Sequence, residues 1–298
     1  MNEPAVAIHE KESAQELFQS LLVAYDASEA SETALQYAIS LARIFNSLVT
    51  VAYIQSPSEF SDAMVDGLTH LKESHHEIAE QLQSIAQGLN SKGIRNQVMQ
   101  RAGTVADVLV QLAAESGTDL LLLGAQGHRK DLPRLGSTAE FMLRSMPCAV
   151  LTVGPEAVLH NRGVGEIHML LCASSLPPKA GTAAEFVKAF AKSLKAGVEI
   201  IHGVGSGSTA QNAPARTGAD EAAAEKLCER LQAAGVPATW RFVHGLDGER
   251  ISERAREIHA GLILFGIEHH PADPGVMGMI STAIRSAECP VLTIPRPA

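Results

Sequence analysis

The chain has 298 residues, 46% of them hydrophobic and 19% charged, and a formal net charge of −9. That length suits two domains of ordinary size, each able to bury a core, while the acidic balance excludes general nucleic-acid binding, which needs a basic surface. No apolar run approaches the ~20 residues of a membrane span, and Glu3, Glu10, Lys11, Glu12 and Glu16 stand where a leader would be apolar, so the expectation is a soluble, cytoplasmic protein.

Residues 1–18 precede the first strand as an N-terminal extension. Residues 21–26 are an apolar run ending in an acid, the pattern of a buried parallel strand. Ser28 and Glu29 then open a helix as cap and first-turn acid, with Leu35, Ala38, Ile39 and Ala42 on one face. Residues 48–54 form the second strand. A loop over residues 55–62 leads to a long helix striped by Ile78, Leu82, Ile85 and Leu89 and ended by Gly93. The third strand is 94–101. Gly103-Thr104 turns into a helix carrying Val105, Val108, Leu109 and Leu112, and the fourth strand is 119–123. After a glycine-bearing loop come a helix at 137–145 and a fifth strand at 148–153.

The second half repeats this order, with strands near 167–173, 198–202, 238–243, 262–265 and 291–294 and a helix striped by Phe186, Phe190 and Leu194. Residues 154–165 read as the linker, and 203–218, rich in Gly, Ser, Thr and Ala, as a mobile loop. Cys148-Ala149-Val150-Leu151-Thr152-Val153 recurs as Cys289-Pro290-Val291-Leu292-Thr293-Ile294, at an offset of 141 residues. The chain is therefore a tandem duplication of one α/β unit, with domains at 19–155 and 156–298. The expected fold is two tandem doubly wound domains, each a five-stranded parallel sheet of order 3-2-1-4-5 with helices on both faces. Each final strand is an apolar edge, which invites antiparallel pairing of the two edges and an intramolecular pseudo-dimer. A homodimer of the whole chain is a further expectation.

In such sheets a ligand sits at the carboxyl ends of the strands where the winding reverses, here between strands one and four. Asp26 ends the first of these strands and Gly124 the second. Gly124 and Gly127 would allow close approach of backbone to ligand, and Gly136-Ser137-Thr138 opens a helix whose free N–H groups favour an anion. The Ser137 and Thr138 hydroxyls add hydrogen bonds, and His128, Arg129, Lys130 and Arg134 flank the loop. Two plainer readings stand beside this one: a glycine-rich turn capped by Ser137, and an Asp26 that merely caps the next helix.

Cys148, Cys172, Cys228 and Cys289 contain no C-x-x-C pair and read as reduced, mostly buried apolar residues. His75-His76 cannot place both rings on one helix face, and His269-His270 reads as a polar loop, so no metal site is assigned. No G-x-S-x-G, H-E-x-x-H or G-x4-G-K-[ST] pattern occurs, and spacing assembles no nucleophile with its base. No catalytic residue is assigned.

In these residues the chain resembles tandem universal stress proteins. The likeness rests on Asp26-Ala27-Ser28, on Gly124-x2-Gly127 followed by Gly136-Ser137, and on the C-P-V-L-x-V type of final strand. It implies an adenine nucleotide (ATP, ADP or AMP) as ligand, with no metal beyond nucleotide-bound Mg. It implies that Asp26 and a backbone group of Tyr53 hold base and ribose, and that Gly124, Gly127, Gly136 and Ser137 hold phosphates. One departure is that eight residues, where the family has nine, separate Gly127 from Gly136, and Pro133 lies among them. In the second half Ser174 matches Asp26, Pro177-Pro178 follow, Glu268 and His269 stand in the glycine loop, and Gly278 and Ser281 do not form a pair. The resemblance thus implies a stress-response sensor or regulatory module holding one nucleotide in its first half, with a regulatory protein partner of unknown identity. One alternative is a stress protein acting through protein contacts or an apolar ligand between the domains. Another is a slow ATPase, for which Asp131 is the acid the loop offers.

Overall fold

Strand and helix alternate as the apolar periodicities require, first over one repeat and then over the other. The computed structural model describes residues 17–56, 68–127, 135–159, 167–174, 182–204, 213–267 and 274–295. The first repeat runs β1 (Ser20–Tyr25), α1 (Glu29–Phe45), β2 (Leu48–Gln55), α2 (Leu68–Ser91), β3 (Asn96–Ala102), α3 (Val105–Ser116), β4 (Leu120–Gly124), α4 (Ser137–Ser145) and β5 (Ala149–Val153). A short α5 (Pro155–Leu159) follows. The second repeat runs β6 (Met169–Ser174), α6 (Thr182–Leu194), β7 (Gly197–Val204), α7 (Ala213–Ala233), β8 (Ala238–His244), α8 (Gly248–Glu257), β9 (Leu262–Ile267), α9 (Pro274–Ser286) and β10 (Val291–Pro295).

Two segments differ from the sequence expectation. The linker begins with α5, whose Val158 N–H donates to the Gly154 carbonyl (3.1 Å). Residues 213–218, expected in a mobile loop, are the start of α7. Alanine is the best helix former and Pro214 falls in the first turn, where its missing N–H costs nothing. Counting alanine with the loop formers hid that start.

The ten strands form one sheet of order β3-β2-β1-β4-β5-β10-β9-β6-β7-β8. Each half keeps the order 3-2-1-4-5 with parallel pairing throughout, and β5 meets β10 antiparallel. The centre of that seam is Leu151 opposite Leu292, its own counterpart in the repeat; Val150 lies opposite Thr293, and Thr152 opposite Val291. The two expected edges thus cover one another across a local pseudo-two-fold axis, and the halves form an intramolecular pseudo-dimer.

Apolar layers lie on both faces. One joins Leu21, Val23 and Tyr25 to residues of α1, α2, α6 and α7; the other joins Leu22, Leu121 and Val150 to α3, α4, α8 and α9. Leu17 and Phe18, the last two residues of the expected extension, are buried in the first layer. Phe18 packs edge-on against Phe45 of its own half (5.5 Å between centroids) and against Phe186 and Phe190 of the other (5.8 and 5.7 Å). Edge-to-face rings add about 0.5–1.5 kcal/mol each beyond burial, so this cluster ties the halves as the central seam does. All four cysteines are free. Desolvation pushes the thiols of Cys148 and Cys172 up to about 12 and that of Cys228 up to about 11, so these remain protonated and inert. No described helix is long and apolar enough to cross a membrane.

Candidate functional site

β1 ends at Tyr25 and the chain must turn at once into α1. Ala27 takes a left-handed conformation (φ 60°), which costs about 1–2 kcal/mol for a residue with a Cβ. The hydrogen bonds around it offset that cost. Ser28 N–H donates to Asp26 Oδ1 (3.0 Å), Ser31 N–H to Ser28 Oγ (3.2 Å), Ser31 Oγ–H to the Ser28 carbonyl (2.9 Å), and Asp26 N–H to Ser31 Oγ (3.4 Å). The N-cap of α1 is therefore Ser28. Asp26 closes the turn with one oxygen, and its other oxygen faces the glycine loop.

β4 lies beside β1, in register from Leu21–Leu120 to Val23–Leu122, so Gly124 and its successors come up next to Asp26. A Cβ on Gly127 would stand 2.8 Å from Asp26 Oδ2. One on Gly124 would stand 2.6 Å from the Ala30 Cβ in the first turn of α1. Both glycines are required by space; the positive-φ glycines are elsewhere, at Gly93, Gly103, Gly117, Gly235 and Gly245. The chain returns to the same place at Gly136, whose N–H donates to the Ala125 carbonyl (2.8 Å). Gly136 is the N-cap of α4 and provides no side-chain cap, leaving Ser137, exposed, and Thr138, half-buried, at an uncapped helix start. Asp26, Gly124, Gly127, Gly136, Ser137 and Thr138 thus gather at the carboxyl ends of β1 and β4. Tyr53 pairs with Tyr25 in the β1–β2 register, which puts its backbone one step from Asp26. His128, Arg129, Lys130, Asp131, Pro133 and Arg134 lie outside the described residues.

Sequence reasoning missed Ser31, Tyr25 and Glu32. The Tyr25 hydroxyl donates to the Glu32 carboxylate, and burial together with that carboxylate drives its pKa upward, so the phenol stays protonated beside Asp26. Ser31 could have been found as a second hydroxyl one turn into a helix whose cap was already identified. Tyr25 reads only as one more core residue of an apolar strand.

The second half differs at each of these points. Sheet register equates Gly124 with Gly266 through the β5 and β10 partners Val153 and Ile294. It equates Leu21 with Leu170 through β4 and β9, so Tyr25 matches Ser174 and Asp26 matches Ser175, one residue later than the sequence expectation. Ser175, Glu268 and His269 lie outside the described residues, but the identity at the Asp26 position is serine by either alignment. His202 takes the place of Tyr53. The helix also starts elsewhere: α9 begins at Pro274, so Gly278 and Ser281 are inside it, whereas Gly136 stands before α4.

The profile of the universal stress protein family matches residues 17–154 and again 167–295. Universal stress protein Sll1388 of Synechocystis is 30% identical over 152 residues, which cover 46% of this chain and 97% of that protein. Universal stress protein MJ0531 of Methanocaldococcus jannaschii is 27% identical over 146 residues, covering 47% of this chain and 84% of that one. The crystal structure of a universal stress protein from Archaeoglobus fulgidus covers 93% of this chain and 96% of its own, with a TM-score of 0.72 at 20% identity, a likeness of fold over both halves. The chain belongs to the universal stress protein family, as a tandem of two such units.

Proposed function

We propose that the first half binds one adenine nucleotide at the carboxyl ends of β1 and β4, and that the protein acts as a nucleotide-responsive sensor or regulatory module of the stress response. The observation that carries this reading is the approach of Gly127 to Asp26, close enough that any side chain at 127 would meet the Asp26 carboxylate. A backbone brought so near a carboxylate, opposite an uncapped helix start, offers acceptors to hydroxyl and amino groups and donors to phosphates within one cleft. These residues fit the chemistry of a nucleotide: Asp26 and the Tyr53 backbone for the nucleoside, Gly127, Gly136 and the start of α4 for the phosphates. The second half has serine where the Asp26 carboxylate stands and an added helical turn before Gly278, so it lacks the charged acceptor and starts its helix elsewhere.

Calorimetric titration of the full chain with ATP and with ADP tests this. The expected result is a single saturable site per chain. Two equal sites would overturn the contrast between the halves, and no binding at ~1 mM nucleotide would overturn the reading itself, in favour of action through protein contacts. Steady phosphate release from the same sample would move it to a slow ATPase.

A further inference from the structure

At the top of the central seam β5 is followed by Gly154, a buried residue. A Cβ built there would land on the carbonyl oxygen of Ile284 in α9, a helix of the other half, and would lie 3.6 Å from the Ile284 Cγ2. Only glycine allows β5 to finish against that carbonyl. The preceding residue, Val153, pairs with Gly124, and its carbonyl accepts from Ala125 N–H (2.8 Å). The Ala125 carbonyl in turn accepts from Gly136 N–H (2.8 Å), the residue that opens α4. Gly154 also supplies the first carbonyl of α5, which packs against both α9 and α1, the helix whose Ser28 and Ser31 hold Asp26. The backbone of the second half is therefore joined to both sides of the candidate ligand cleft of the first half through one residue without a side chain.

The mirror-related position does not repeat this. The repeat that equates Leu143 with Ile284 also equates Gly154 with Pro295, which carries a ring and has no N–H. Glycine stands at this position only in the half that also carries Gly127.

We infer that Gly154 is a positioning residue through which α9 of the second half sets the geometry of the first half's glycine loop. Its ligand consequence rests on the nucleotide reading above; its structural consequence does not. A shift of α9 is felt at Ala125 and Gly136, and occupancy of the loop is felt at α9 in return, since coupling between sites is reciprocal.

The test is Gly154→Ala against Gly261→Ala. The second variant is an internal control, because its Cβ would stand 2.8 Å from the Ile167 Cα, crowding the second half without touching α9 or β5. Hydrogen exchange followed by mass spectrometry should show the Ala125 and Gly136 amides exchanging about tenfold faster in Gly154→Ala, and unchanged in Gly261→Ala. ATP affinity should fall about tenfold in the first variant only. Unchanged exchange in folded Gly154→Ala, or equal acceleration in both variants, overturns the inference. Faster exchange with unaltered ATP affinity overturns its ligand part. If the wild-type chain binds no ATP, the nucleotide reading fails and the exchange comparison still decides the contact. Should Gly154→Ala not fold, native-state hydrogen exchange of the wild-type chain in rising urea is read instead: the Ala125 and Gly136 amides should lose protection together with the α9 amides around Ile284, and loss of α9 protection with Ala125 and Gly136 still protected overturns the inference.

Discussion

The two halves repeat one strand order and pairing, while the sequence at the carboxyl ends of β1 and β4 differs from that at the ends of β6 and β9, where serine stands for Asp26 and His269 for Gly127. In the sheet, Val150-Leu151-Thr152 and Val291-Leu292-Thr293 face one another across the seam and are buried on both faces. Fully burying one leucine is worth about 1.5–3 kcal/mol, so a polar substitution there removes a large part of the net stability of a domain. At the strand ends little apolar burial is at stake: Asp26 is half-buried and Gly127 exposed, and what they contribute to the fold is the turn that Asp26 closes on Ser28 N–H. Burial accounts for the sheet in both copies. At the strand ends the approach of Gly127 to Asp26 is built in the first half, and histidine and serine stand at the matching positions of the second, which is the contrast the proposed nucleotide reading rests on.

The largest expected effect tests whether the halves are one folding unit. Phe18→Ala empties the space between Phe45, Phe186 and Phe190 and should cost about 3–5 kcal/mol, read from urea unfolding. The expected curve is one transition displaced as a whole. Two resolved transitions, with only one of them shifted, would show that the halves unfold separately and that the seam does not couple them.

Next in size is Gly127→Val, whose side chain would meet Asp26 Oδ2 and occupy the cleft; ATP affinity should fall by more than about 100-fold. Gly266→Val, its contrast in the second half, should leave affinity unchanged. Equal losses in both would mean that the second half also binds. Asp26→Ala should cost less, because it removes one charge-assisted hydrogen bond, about 1.5–3 kcal/mol or ~10- to 150-fold in affinity. It also removes the acceptor for Ser28 N–H, so a melting curve of the ligand-free variant is needed to separate binding from folding.

The architecture could be read from the sequence because its signals are local or repeated. Continuous apolar runs marked the strands, Ser28 marked a cap, and Cys148–Val153 with its copy marked the seam, including its antiparallel sense. Asp26 and Gly127 could be placed together because the winding rule puts strand ends one and four side by side. What could not be read depends on register and on contacts remote in sequence. The match of Asp26 to Ser175 needs the pairing of β6 with β9, since an apolar strand can be slid by one residue without changing its composition. Gly154 is silent in sequence, because its partner is a carbonyl 130 residues away. That Gly278 and Ser281 fail to form a pair was legible in sequence; that both lie inside a helix starting at Pro274 was not.

The smallest expected effect compares one residue type at two mirror-related places. Thr152 and Thr293 are repeat counterparts on neighbouring strands of the seam, both buried (0% and 1% exposed). Thr293 Oγ1–H donates to the Val150 carbonyl (3.2 Å), whereas Thr152 Oγ1 has no partner among the described residues. A buried hydroxyl without a partner carries its full desolvation cost, about 1–3 kcal/mol, whereas a made hydrogen bond contributes about 0.5–1.5 kcal/mol net. Thr152→Val should therefore raise stability by about 1 kcal/mol, and Thr293→Val should lower it by a similar amount. The melting temperature of a chain this long should move by about 2–4 °C, in opposite directions for the two variants. Because the shape of the side chain is nearly kept, packing contributes little and the sign reports the hydrogen bond. If both variants lose stability, the Thr152 hydroxyl has a partner in solution, and the seam is more symmetric than its hydrogen bonds indicate.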